Sequence, residues 1–337
     1  MFVNVIYIQT QNLSKYSKLK AIYNAMTPRL KGNLEMFASK VFSGLNENAL
    51  KYLLPTWMGA ISGVMMRLTF GTAFFWIWGF FTRNKFPKPS ARDMLSLFFI
   101  GVVFVFGYMW TLLEGLSYTT PISSSIFISL QPVWVYIICL CLRTEQLSWG
   151  KVLGILIGFG GALLCVLTQH SSDIASDPFK GNMFCLASSV LFAGYLVIEK
   201  RYLPRLGSAV VSKWTFLGGA VATAVLVCFT GWDAPVLHQN FFSTPMLVLL
   251  FVLIFPSSVS YLLQDFALTK LPATVVALYG DLILIVAAIA SYILGQDRFS
   301  WWQIGAILLM LVSVYLVEVA ERKSQSTPGT SKSPASK

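Results

Sequence analysis

Charged residues are scarce in this chain. Only 12% of its 337 residues are Asp, Glu, Lys or Arg, about half the share of a soluble domain, so most of the chain cannot face water. Histidine is nearly absent: His170 and His238 are the only two and fall in separate loops, which argues against a Cys/His metal site and against a Ser-His pair for nucleophilic catalysis. The five cysteines, Cys139, Cys141, Cys165, Cys185 and Cys228, lie inside apolar runs. They read as small apolar fillers rather than as a disulfide framework. GxSxG, HExxH, GxGxxG and Walker A patterns are all missing. No catalytic residue, metal or cofactor is expected. The first thirty residues lack the apolar core and small-residue cleavage site of a signal peptide and read as a polar cytosolic extension.

Hydrophobic residues make up 56% of the chain, with 26 Phe and 10 Trp. A bilayer-crossing helix needs about 20 mostly apolar residues. That ruler marks ten segments: Leu34–Leu54, Gly59–Phe81, Met94–Leu116, Ile122–Leu142, Val152–Thr168, Gly181–Ile198, Val211–Thr230, Pro245–Leu268, Ala273–Leu294 and Trp302–Val319. The first is the least apolar. It carries Glu35, Lys40, Asn46, Glu47, Asn48 and Lys51. The charge pattern requires it nonetheless. With the N-terminus inside, 20 of the 25 Lys and Arg residues fall on the cytosolic side and only Lys180 and Arg298 on the other. That bias places both termini in the cytosol. It also accounts for the net charge of +11 without a nucleic-acid partner, since no soluble fold is left to carry a basic face.

The chain repeats itself at an offset of 152 residues. Leu116 matches Leu268, Glu145 matches Asp297, Ser148 matches Ser300 and Trp149 matches Trp301. Each copy reads span, short acidic loop, Ser-Trp, final span. An odd number of spans per copy inverts the second copy in the bilayer. The expected fold is therefore an all-α integral membrane protein, ten transmembrane helices arranged as two inverted five-helix repeats around a central cavity. The expected organisation is a polar extension over 1–33, a first repeat over 34–168, a second over 181–319 and a disordered basic tail over 320–337.

Several local patterns resemble the drug/metabolite transporter superfamily in its ten-helix, EamA-type branch. They are Pro55-Thr-Trp, Arg67, the Ser-rich run from Tyr118 to Ser125 leading into Leu130-Gln131-Pro132-Val133, Glu145-Gln-Leu-Ser-Trp, the glycines from Gly154 to Gly161, Ala267-Leu-Thr-Lys-Leu-Pro-Ala-Thr, and Leu294-Gly295-Gln296-Asp297. The similarity spans Asn33 to Val319. It implies a secondary transporter of small metabolites such as amino acids, working by alternating access and often as an exporter, in the inner (plasma) membrane of a bacterial cell. A gradient-independent facilitator, a sugar-phosphate or nucleotide-sugar exchanger and, outside transport, an intramembrane enzyme are the alternatives. The chain departs from the pattern in one place. Opposite Gln131-Pro132 the second half has Ile283-Leu284, with Asp281 just before.

Ionisable groups inside a bilayer cost at least about 2.5–3.5 kcal/mol each and therefore point to a cavity or a partner. Glu47, Lys51, Arg67, Glu114, Asp265 and Asp281 are the candidates. Glu47 and Arg67 fall at similar depth, so they either pair structurally or line the solute path. Asp281 has no basic neighbour in its own segment. It is either a proton-coupling carboxylate or one that is solvated or distantly paired. Asn46, Glu47, Arg67, Gln131 and Asp281 are expected around one central space, with Tyr195, Tyr261 and Tyr279 as aromatic walls. Pro132 and Pro256 each remove a backbone donor in mid-span, as plain kinks or as hinges that expose polar backbone to the cavity. Gly154, Gly158 and Gly161 have the small-xxx-small spacing of close helix packing, between the halves or in a homodimer.

Overall fold

The computed structural model describes residues 26–82, 88–144, 148–168, 175–271, 276, 279–297 and 300–326. Among them there is no strand, and the helices form ten rods. In chain order these are α1 (Pro28–Leu53), α2 (Ala60–Thr82), α3 (Ala91–Tyr118), α4 (Pro121–Cys141), α5 (Trp149–Thr168), α6 (Pro178–Leu206), α7 (Ser208–Thr230), α8 (Thr244–Lys270), α9 (Gly280–Leu294) and α10 (Trp301–Ser326).

The start signals are local. Pro28, Pro121 and Pro178 occupy the first turns of α1, α4 and α6, each behind a capping side chain, Thr27, Thr120 or Asp177. Proline tolerates that turn because its missing N–H would be unpaired there anyway. Ser90 and Asp93 close a capping box on α3. Gly207, at φ 74°, lets α7 follow α6 with a single residue between them.

Six rods, α2, α3, α4, α6, α7 and α8, are long and apolar enough to cross a bilayer, and α5, α9 and α10 carry shorter apolar helices. Large apolar side chains cover the outside: Phe80 is 74% exposed and Phe229 83%. Charged and amide groups, including Lys40, Glu47, Arg67 and Asp265, are buried inside. That inverted distribution is the one a bilayer imposes, and the chain is an integral membrane protein. α1, the least apolar rod, buries three of its charged residues, Glu35, Lys40 and Glu47.

The packing has two-fold character. α3 packs on α6 as α8 packs on α1, and α4 packs on α6 as α9 packs on α1. The pairs α2–α7, α4–α9 and α5–α10 map onto themselves when the halves are exchanged. α5 and α10 begin at the repeated Trp149 and Trp301. α3 and α8 are both interrupted by one π-helical turn, Gly101–Val105 and Phe255–Val259. Both turns lie where a rod of the α2–α7 pair crosses. A Cβ on Gly101 would fall 1.9 Å from the Thr215 carbonyl oxygen, and one on Gly71 would fall 3.3 Å from that of Ser257.

Several boundaries differ from the sequence reading, among them the end of α6, which continues past Ile198 to Leu206. α1 begins at Pro28, inside the segment read as an extension. α10 runs through Val319 to Ser326, because Ala-Glu-Arg-Lys continues the helix with good helix formers. α9 is described from Gly280, and the expected start of that segment at Ala273 lies outside the described residues.

Candidate functional site

The rods divide into two groups, α1 with α8 and α9, and α3 with α4 and α6. A cavity of about 60 Å³ lies between them. From one group it receives Lys40, Ser43, Asn46 and Glu47 of α1, Pro256, Ser260, Tyr261 and Gln264 of α8, and Ile283 of α9. From the other come Tyr108, Gln131, Ser188 and Phe192, and α2 adds Arg67. This is well below the usual range of small-molecule sites, about 300–1,000 Å³. The conformation is a constricted one.

The polar groups are held in place but not satisfied. Arg67 Nε donates to Ser257 Oγ at 2.8 Å, and Ser257 Oγ in turn donates to the Val252 carbonyl, also at 2.8 Å. That second bond is possible because the π-turn brings residue 257 over residue 252, so the interruption in α8 fixes the arginine. Arg67 Nη1 has no partner. Glu47 accepts from Ser124 Oγ at 2.9 Å. Lys40 donates to Gln264 Oε1 at 3.1 Å and lies over the Phe192 ring. Gln264 Nε2, Gln131 Oε1 and Asn46 Oδ1 are buried without a partner. A buried unsatisfied polar group costs about 1–3 kcal/mol. Four of them, two donors and two acceptors from four different rods, line one small space. The hydroxyls of Tyr108 and Tyr261 hydrogen-bond across it, joining α3 to α8.

At each end of the protein a lysine joins the two groups of rods. Lys51 Nζ of α1 donates to the carbonyls of Leu116 and Thr119 at the end of α3, at 2.9 and 2.7 Å. Lys200 Nζ of α6 donates to the carbonyls of Leu268 and Leu271 at the end of α8, the latter at 2.5 Å. The two sets of carbonyls are related by the same 152-residue offset as the sequence repeat. They lie at opposite ends of the protein: the start of α6 meets the end of α3, Asp177 N bonding to the Tyr118 carbonyl, so Lys200 near the far end of α6 is at the other side. Each lysine ties one group of rods to the other. The ion pair of Lys270 with Glu35 stays within the α1–α8 group.

Of the residues singled out from the sequence, Asn46, Glu47, Arg67, Gln131, Tyr261 and Pro256 line this cavity. Glu47 and Arg67 share it without forming an ion pair, because each is bound by a serine instead. The Asp281 side chain lies outside the described residues. Tyr195 and Tyr279 are not among the lining residues; Tyr195 is buried and donates to Glu199 Oε1 at 2.6 Å. Pro132 stands in the first turn after a break in α4 at Ser129–Leu130, and Pro256 stands in the α8 π-turn. Gly158 and Gly161 press α5 against Ser313 and Ala306 of α10, and the Gly154 carbonyl accepts from Ser313 Oγ. They therefore sit between the halves.

Lys40, Tyr108 and Gln264 escaped the sequence reading. Lys40 is visible in the sequence as a charge in the first segment, but nothing there shows that it turns inward. A second buried cluster joins Asp265, one of the candidate ionisable groups, to Glu199, which the sequence reading passed over. Glu199 and Asp265 approach each other between α6 and α8, with Ser212 donating to Asp265 at 2.5 Å. Glu199 stands just before Lys200-Arg201, so by sequence it looks like a helix end at the membrane surface. Among the described residues no group of three or more His, Cys, Asp or Glu is placed to hold a metal ion.

An apolar exterior, a polar buried centre between two equivalent halves and fastened ends define a polytopic membrane transporter. The chain belongs to the EamA-like transporter family, whose model matches residues 30–167 and again 179–319. It is similar to the "Uncharacterized transporter YyaM" of Bacillus subtilis (strain 168), 25% identical over 80% of this chain and 88% of that one. It is also similar to an "Uncharacterized transporter" of Archaeoglobus fulgidus, 25% identical over 73% and 83%. In Arabidopsis thaliana the "WAT1-related protein At3g18200" is 24% identical over 71% of this chain and 68% of that one. A solved crystal structure shares the fold, with a TM-score of 0.62 and 17% identity over 88% of this chain and 99% of that one.

Proposed function

We propose that this protein is a secondary transporter that exports small zwitterionic metabolites of the amino-acid type by alternating access, without enzymatic chemistry. The observation that carries the reading is the set of four unpartnered polar atoms, Asn46 Oδ1, Arg67 Nη1, Gln131 Oε1 and Gln264 Nε2, around one central space. A carboxylate would take the Arg67 fork and an ammonium the amide oxygens and Glu47, satisfying groups that otherwise stay buried unpaired. The two lysine-fastened ends support alternating access: a cavity too small for its solute must open at one end at a time. The basic bias supports an orientation with both termini in the cytosol, and the proposed location is the inner (plasma) membrane of a bacterial cell. A proton is the proposed driving ion, and the chain works as a monomer or homodimer.

The test is transport by purified protein in liposomes against labelled amino acids, with sugar phosphates and nucleotide sugars as a separate arm. Amino acids are expected to exchange. Arg67→Gln should lower that exchange roughly ten- to a hundredfold, the worth of one hydrogen bond to a charged group at about 1.5–3 kcal/mol, while Arg67→Lys recovers part of it. Transport confined to the phosphate arm, or exchange unaffected by Arg67→Gln, would sink the zwitterion reading.

A further inference from the structure

A second cavity, of about 380 Å³, lies away from the solute path, between the end of α2 and the start of α7. Trp76, Gly79 and Phe80 of α2 form one wall, Ala209 and Lys213 of α7 the other, and Lys88 stands at its mouth in the α2–α3 connection. Its size lies within the usual range of small-molecule sites, about 300–1,000 Å³. Three features give it a chemistry. The first is charge. Lys213 Nζ lies over the Trp76 ring, 4.8 Å from its centroid, and Lys88 is exposed. Arg92, Arg201 and Arg205 occupy the same end of the protein, and Asp93, the acidic residue beside them, is already paired with Arg205. The second is the backbone. α7 starts here behind Gly207, with no side chain capping its first N–H groups, and a helix start favours an anion. The third is the rest of the wall. Phe80 is 74% and Trp76 46% exposed, facing the bilayer beside a basic mouth.

We infer that this groove holds one anionic phospholipid, its phosphate between Lys88, Lys213 and the start of α7 and its acyl chains along Trp76 and Phe80. A soluble anion would use the lysines and leave the aromatic wall unused. A zwitterionic lipid brings a choline or ethanolamine cation into a region already basic. Basic pockets between membrane helices near an anionic leaflet select acidic headgroups in this way. The site is independent of the solute cavity and does not depend on which solute moves.

Native mass spectrometry of the full chain tests it. The protein is delipidated in uncharged detergent and given equal phosphatidylglycerol and phosphatidylcholine of matched chains. The wild type should retain one phosphatidylglycerol in preference. The double variant Lys88→Gln with Lys213→Gln should lower that adduct about tenfold or more, while Lys213→Arg keeps it. Gly79→Leu narrows the groove without removing a charge and should also expel the lipid; a Cβ there is in ordinary contact, nearest to Lys213 Cδ at 3.9 Å. Arg92→Gln, on the same end but outside the groove, should leave the adduct unchanged. Equal retention of both lipids, an unaffected double or Gly79→Leu variant, or an equal loss from Arg92→Gln would overturn the assignment. Displacement by excess glycerol 3-phosphate would do so too, since the ligand would then be a free phosphate ester.

Discussion

Removing either end lysine should tip the protein toward one side. Lys51 makes two hydrogen bonds to the last carbonyls of α3, and Lys200 makes two to those of α8. Each therefore also meets the negative end of a helix. A hydrogen bond to a charged group contributes about 1.5–3 kcal/mol. Counting each ammonium once, because water can take over the freed carbonyls at the rim, loss of Lys51 shifts the balance between closed and open outer ends by roughly ten- to a hundredfold. Lys200 is more exposed, so its loss falls toward the lower figure. Methionine is the substitution of choice, keeping the apolar stem and deleting the ammonium. The reporter is Gln131→Cys in the cavity, with Cys139, Cys141 and Cys228 replaced by Ser. Proteoliposomes of known sidedness are labelled with an impermeant thiol reagent from one side at a time. Lys51→Met should speed labelling from outside and slow it from inside; Lys200→Met should do the reverse. If the two variants change labelling in the same sense, or neither changes it, the lysines are ordinary helix caps and the reasoning fails.

The tight crossing of α3 and α7 gives a stability prediction: Gly101→Ala drives a Cβ to 1.9 Å from the Thr215 carbonyl oxygen and should cost about 2–3 kcal/mol or more, read as a lowered unfolding midpoint, whereas Gly160→Ala meets nothing within 4 Å and should be silent. For coupling, Asp281→Asn should leave exchange intact and abolish accumulation driven by a pH gradient. Normal accumulation by Asp281→Asn, together with loss in Asp265→Asn, would move coupling to the carboxylates between α6 and α8. For topology, a cysteine at Asp177 should react with an impermeant reagent added outside intact cells and one at Lys88 should not; the opposite pattern would reverse the orientation.

Much of this protein is already written along the chain. The apolar segments locate the rods to within a few residues, and proline, threonine and aspartate at their starts say why they begin where they do. The 152-residue repeat anticipates the equivalent starts of α5 and α10 at Trp149 and Trp301. Polar residues deep in apolar segments must be buried against something, and together with the inverted repeat that argument brings Asn46, Glu47, Arg67 and Gln131 to a shared space. The partners were another matter. Glu47 and Arg67 stand at matching depth but bind Ser124 and Ser257, from rods far away in sequence. Lys51 turns to the α3 carbonyls at the rim, while Lys40 enters the cavity. Glu199, a helix-end residue by sequence, lies buried beside Asp265. Depth is a property of one segment and can be counted from its ends. The face a side chain presents depends on which rods surround its helix, and helices apolar all round carry little periodicity to reveal it. In a bilayer the apolar surfaces are not driven together by water, so close backbone approach and interhelical hydrogen bonds choose the neighbours. Those contacts, such as Gly101 against Thr215, exist only once both halves are assembled.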